Sequence, residues 1–139
     1  MNQGGNRIVD PVRFAQARAE LGGNFARILG YYREDGAKAI HTIEEAMRAR
    51  SAVALVRPAH TLKGESLQFG AEPLGLCAEQ IEKAARRAVE EHDFPAEIVE
   101  QVVELRPLFA QTLAFFDREM VPVSPMRRMA SGFGRKIAG

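Results

Sequence analysis

Between Phe25 and Met120 the apolar residues return every third or fourth position, stretch after stretch, and that periodicity limits the chain to helices packed on helices. One stripe is Phe25, Leu29, Tyr32, Ile40, Ile43 and Met47, which predicts a long helix over about 24–49. Gly36 lies on this stripe, either to permit close packing or as a weak point. Leu74, Cys77, Ile81, Ala85 and Ala88 form a second stripe. Ile98, Val102, Leu105, Phe109, Leu113, Phe116 and Met120 form a third. No stretch alternates with the period of a half-buried strand.

Punctuation sets the boundaries. Asp10-Pro11 offers an N-cap acceptor and then a proline in the first turn, where a missing N–H costs little; that helix stops at Gly22-Gly23. Ser51 caps a helix running to about Phe69, with Gly70 as its stop. Asp93-Phe94-Pro95 reopens the chain before the last helix. Pro58 and Pro107 fall inside helical stretches, where each removes a backbone bond and is expected to bend the axis. The expected fold is all-α: an antiparallel up-down four-helix bundle over 10–119, with a short additional N-terminal helix lying across one end. Residues 1–9 are expected to be disordered. Residues 120–139, with Pro122, Pro125, Gly132, Gly134 and Gly139, are expected to be a flexible tail.

Composition narrows the function classes. The net charge of +1 argues against nucleic acid as the main partner. Charge is uneven: Arg127, Arg128, Arg135 and Lys136 give the tail +4, leaving the other 119 residues at −3. The single cysteine, Cys77, has no partner for an internal disulfide and supplies no metal-ligand set. No apolar run is long enough to cross a bilayer, and Met1 to Arg7 lacks the apolar stretch of a secretory signal. A cytoplasmic location is the expectation.

The chemistry lies in Ala59-His60-Thr61-Leu62-Lys63-Gly64-Glu65-Ser66-Leu67-Gln68-Phe69-Gly70-Ala71. At roughly 100° per residue, Leu55, Ala59, Leu62, Ser66 and Phe69 gather into a core seam, and His60 falls well outside it. A lone helical histidine is more often a hydrogen-bonded core residue; here the wheel turns it to solvent. Lys63 and Gly64 lie one turn on, within roughly 60° of it. Imidazoles titrate near neutrality, so a ring nitrogen is available as a nucleophile at physiological pH. An ammonium group one turn away can pair with phosphoryl oxygens, and a bare glycine leaves room for a partner's phosphate-bearing loop. Val53, Val56 and Leu67 also fall within roughly 40° of His60, as an apolar patch suited to docking or to packing against the first helix or the tail. Gln68 and Arg86 complete the expected docking set.

The run His60-Thr61-Leu62-Lys63-Gly64, followed by Gly70-Ala71 and Leu74, resembles the His-x-Leu-Lys-Gly signature of histidine phosphotransfer domains. Glu20-Leu21-Gly22-Gly23-Asn24 resembles that family's lead-in to its second helix, and Ile81-Glu82 matches an apolar residue followed by Glu or Gln. The likeness spans about residues 10–119. It implies that His60 is phosphorylated, that Lys63 stabilises the phosphoryl group and that Gly64 admits a receiver domain. It also implies that Glu82 accepts a hydrogen bond from the other ring nitrogen. Arg86 is a further candidate phosphate contact, with a solvated surface charge as the alternative. Two residues depart from the pattern: Glu65 stands where a small residue is usual and brings a negative charge near the phosphate, and Pro58 alters the approach to His60.

The resemblance implies a phosphorelay intermediate that takes a phosphoryl group from the receiver aspartate of a hybrid histidine kinase and passes it to a response regulator. It implies a carrier with no kinase activity of its own and no cofactor, the Mg²⁺ being held by the partner receiver domain; a monomer is the expectation. Phosphorylation in trans by a kinase, or a purely structural interaction module, are the alternatives. A histidine kinase core fits poorly, because Thr61 stands where an acid commonly follows the histidine and no residues remain for an ATP-binding domain. Gly132-Phe133-Gly134 sits in the basic tail rather than between strand and helix, so it is no nucleotide loop. A di-metal bundle needs Glu-x-x-His pairs, whereas the residues three before His41, His60 and His92 are Lys38, Arg57 and Val89. His41 and His92 therefore read as ordinary surface or boundary residues.

Overall fold

The computed structural model describes residues 7–121. Five α-helices follow one another: α1 (Pro11–Leu21), α2 (Phe25–Arg48), α3 (Ala52–Gln68), α4 (Glu72–Glu90) and α5 (Val99–Met120). Short 3₁₀ turns at Gly22–Asn24 and Ala96–Ile98 lead into α2 and α5. The described residues contain no strand. α2 packs on α3 and α5, and α4 packs on α3 and α5, which closes a four-helix ring with α1 laid against α2 and α3. This is the expected bundle with its additional N-terminal helix.

Each boundary has a local cause. The Asp10 carboxylate accepts from Val12 N–H at the start of α1, and Ser51 Oγ accepts from Ala54 N–H at the start of α3. Gly70 ends α3 at φ 84, with Ala71 N–H donating back to the Ser66 carbonyl. The same left-handed turn ends α2 at Arg50 (φ 53) and α4 at His92 (φ 55), neither of them glycine. There Ser51 N–H returns to the Ala46 carbonyl and Asp93 N–H to the Ala88 carbonyl. Helices α3 and α5 run through Pro58 and Pro107 without a break.

Ile8 and Val9, expected to be disordered, are packed. Val9 is buried and Ile8 packs against the core, because Asp10 N–H donates to the Gly70 carbonyl and ties this segment to the end of α3. Residues 1–6 and, in the tail, residues 122–139 lie outside the described residues; Met120 closes α5.

Aromatic rings fill the core at the α1 end. Phe14, Phe25, Tyr32, Phe69, Phe109, Phe115 and Phe116 contact one another edge-on, tilted or stacked, with centroids 5.3 to 6.3 Å apart. The buried Tyr32 hydroxyl pairs with Ser66 Oγ at 2.7 Å, which satisfies both polar groups inside this cluster. Gly36 serves close packing: a Cβ built there would meet the Phe109 ring at 2.6 Å.

Candidate functional site

The site depends on how closely α3 and α4 approach. A Cβ on Gly75 of α4 would sit 2.5 Å from Leu67 Cδ2 and 3.5 Å from the Lys63 carbonyl oxygen of α3. Because nothing bulky separates the two helices, a side chain on α4 reaches beneath the exposed face of α3. Glu82 is that side chain.

His60 stands on α3 with 59% of its side chain exposed, and the expected seam residues Leu55, Ala59, Leu62, Ser66 and Phe69 are all buried on the other side. Only 6% of the Glu82 side chain is exposed. Its Oε2 lies 2.8 Å from His60 Nδ1. A carboxylate accepts and does not donate, so in the neutral ring Nδ1 carries the proton and Nε2 keeps its lone pair. Lys63 Nζ is 2.8 Å from the other carboxylate oxygen, Oε1, as an ion pair. Arg86 closes the cluster, its Nε 2.9 Å and its Nη2 2.8 Å from Oε2. Burial alone would raise the Glu82 pKa. The close contacts with Lys63, Arg86 and His60 outweigh it and bring the pKa down to about 2.

Gly64 is exposed, and a Cβ there would meet nothing within 4 Å. The surface one turn beyond His60 is therefore open. Val53 is 70% exposed and Val56 half-buried; both line a groove of about 450 Å³ with Arg57, Arg86, Val89 and Glu90. Val89 and Arg57 were not in the expected docking set. Their signal was the α4 spacing from Arg86 to Val89 and the position of Arg57 one turn before His60.

Two expected docking residues are placed otherwise. Leu67 is half-buried with its Cδ2 against Gly75, so it builds the α3–α4 contact instead of standing free. The wheel gave its angle but not the closeness of the neighbouring helix. Gln68 is exposed in a separate groove between α2 and α3, with Arg27, Tyr31, Tyr32, Asp35 and Glu65. Glu65 is thus turned to the α2 flank, away from the Glu82 cluster. Burial there, and then the charge of Asp35, raise its pKa. Among the described residues there is no group of three or more metal-ligating side chains, and no helix is long and apolar enough to cross a membrane.

The helical bundle thus presents one oriented imidazole beside an ammonium group and an exposed glycine. The family model of the Hpt domain matches residues 27–114, and the chain belongs to that family. Among solved structures, the chain is similar to histidine-containing phosphotransfer protein B from Pseudomonas aeruginosa PAO1. The TM-score is 0.72 and the identity 22%, over 82% of this chain and 95% of that one, a likeness of fold. Comparison with curated proteins gives no match.

Proposed function

We propose that this chain is a phosphorelay carrier in which His60 Nε2 accepts a phosphoryl group from a receiver-domain aspartate and returns it to another. The observation that carries the reading is the hydrogen bond from His60 Nδ1 to the buried Glu82 carboxylate, which in the neutral ring puts the proton on Nδ1 and the lone pair on Nε2 of an exposed side chain. In the forward step the Nε2 lone pair forms the N–P bond as the P–O bond to the donor aspartate breaks, and the electron pair departs on that carboxylate. No proton needs to move. Nδ1–H stays on the ring, and the positive charge that develops there faces the Glu82 anion. Lys63 meets the phosphoryl oxygens as a point charge, and Gly64 admits the receiver loop.

Membership of the Hpt family supports a carrier and not a kinase. The proposed partners are the receiver domains of a hybrid histidine kinase and of a response regulator, docked over Val53, Val56 and Arg86. The Mg²⁺ of the transfer would be held by the receiver. A monomeric, cytoplasmic protein, organised as a bundle over 10–119 between a terminal segment and a basic tail, completes the proposal.

The test is incubation with a phosphorylated receiver domain, followed by assay for acid-labile, alkali-stable label. The wild-type chain should take up label and a folded His60→Gln variant should not. Uptake by that variant would refute the assignment.

A further inference from the structure

Arg86 is the part of the cluster that the transfer chemistry does not use. Two of its nitrogens lie within 2.9 Å of Glu82 Oε2, the same oxygen that His60 reaches. Lys63 holds the other oxygen, and the two cations are held differently. Arg86 sits one turn beyond Glu82 on α4 and grips it with a planar fork. Lys63 comes from α3, one turn beyond His60, and contacts Oε1 as a point charge on a flexible stem. The contact with Oε1 is a single one, at 2.8 Å, made from the helix that carries His60.

A phosphoryl group on Nε2 brings new anionic oxygens to the face where Lys63 is anchored. Lys63 is the cation placed to change partner. If it left and nothing else held Glu82, a buried carboxylate would face only a ring N–H, and burial would favour its protonation. A protonated Glu82 could donate to Nδ1 and reverse the tautomer. The charged or titratable groups in contact with Glu82 are His60 and Lys63 from α3 and Arg86 from its own helix. With Lys63 turned to the phosphoryl group, Arg86 is the cation left in contact with Glu82.

We propose that Arg86 is a positioning residue: it holds Glu82 charged and aligned on His60 Nδ1 throughout the cycle, so that Lys63 is free to move from the carboxylate to the phosphoryl group. This rests on His60 being the acceptor.

The test uses ¹⁵N NMR of the His60 ring in the full chain, with Lys63→Ala imitating departure of the ammonium. Lys63→Ala alone should keep Nδ1 protonated and Nε2 bare. Adding Arg86→Ala should give mixed tautomers, and adding Arg86→Lys in its place should restore the single form in part. In parallel, chains loaded with potassium phosphoramidate should lose the phosphoryl group faster in Arg86→Ala, by roughly tenfold if the bond matters as supporting hydrogen bonds to other functional imidazoles do. Arg86 is exposed and Lys63 half-buried, and circular dichroism checks that each variant is folded. A tautomer that ignores Arg86, or one already lost in Lys63→Ala, would overturn the proposal while wild-type loading stands. A wild-type chain that takes no phosphoryl group on His60 sinks the acceptor reading, and this proposal with it.

Discussion

Glu82 Oε2 lies 2.8 Å from His60 Nδ1, so a nearly buried carboxylate on one helix fixes the proton of an exposed imidazole on the next. The rest of the site is arranged around that bond. Lys63 and Arg86 keep the acid ionised, and the close approach of α3 and α4 at Gly75 brings it within reach.

Glu82→Gln keeps the shape and removes the charge. The amide can present either its oxygen or its NH₂ to Nδ1, so the ring loses its fixed tautomer and the developing cation loses its counter-charge. Phosphoryl uptake from a phosphorylated receiver should fall roughly 10- to 100-fold, the scale seen when partners that orient metal-bound imidazoles are removed. Stopped-flow or quench measurements of uptake check this; an unchanged rate would mean that the bond does not prepare the nucleophile.

The same carboxylate predicts an acid limit to stability. Its pKa is about 2 in the folded chain against an ordinary 4.5. A depressed carboxylate adds stability that is fully present above the unfolded value and is lost as pH falls from about 4.5 through about 2. With partial exposure of the partner cations discounted, the contribution is on the order of 2 kcal/mol. Urea unfolding at a series of pH values should show a steep loss in that window for the wild type and a shallower one for Glu82→Gln. Equal slopes would contradict the ion cluster.

Gly36 tests the core apart from the site. Alanine there must push the Phe109 ring, which a new Cβ would meet at 2.6 Å, and overpacking of this kind costs about 1–3 kcal/mol. The melting temperature of Gly36→Ala should drop by several degrees, while the His60 ring signals stay as in the wild type. A melting temperature equal to the wild type would show that the contact relaxes freely.

Gly64 separates access from chemistry. With open space around it, Gly64→Gln should fold normally, gaining slightly in helix propensity. It should still load from phosphoramidate, a small donor, and should lose most uptake from a phosphorylated receiver. Equal loss with both donors would place the effect on His60 itself.

Much of this was legible in the sequence, for identifiable reasons. Helix type and order follow from the apolar stripes, and the caps at Asp10, Ser51 and Gly70 used residues with direct mechanisms. The exposure of His60 followed from the wheel, since its angle to Leu55, Leu62 and Phe69 needs no knowledge of other helices. The misplacements arose where interhelical distance decided. Leu67 shares the His60 angle yet lies on Gly75, and Glu65 turns toward Asp35, because the positions of α4 and α2 are not written in the α3 spacing. The left-handed turns at Arg50 and His92 carry no glycine to announce them. Glu82 reads as a surface acid from periodicity alone, and only the family resemblance pointed to it.

The central claim is that the phosphoryl group is carried by His60 and by its Nε2 atom. ³¹P NMR of the chain loaded by a phosphorylated receiver, kept at alkaline pH and correlated to the ¹⁵N-labelled ring, reports both. The account predicts one phosphohistidine resonance coupled to Nε2 of His60 and absent from His60→Gln. A resonance coupled to Nδ1, or one that persists in the variant on His41 or His92, would contradict it.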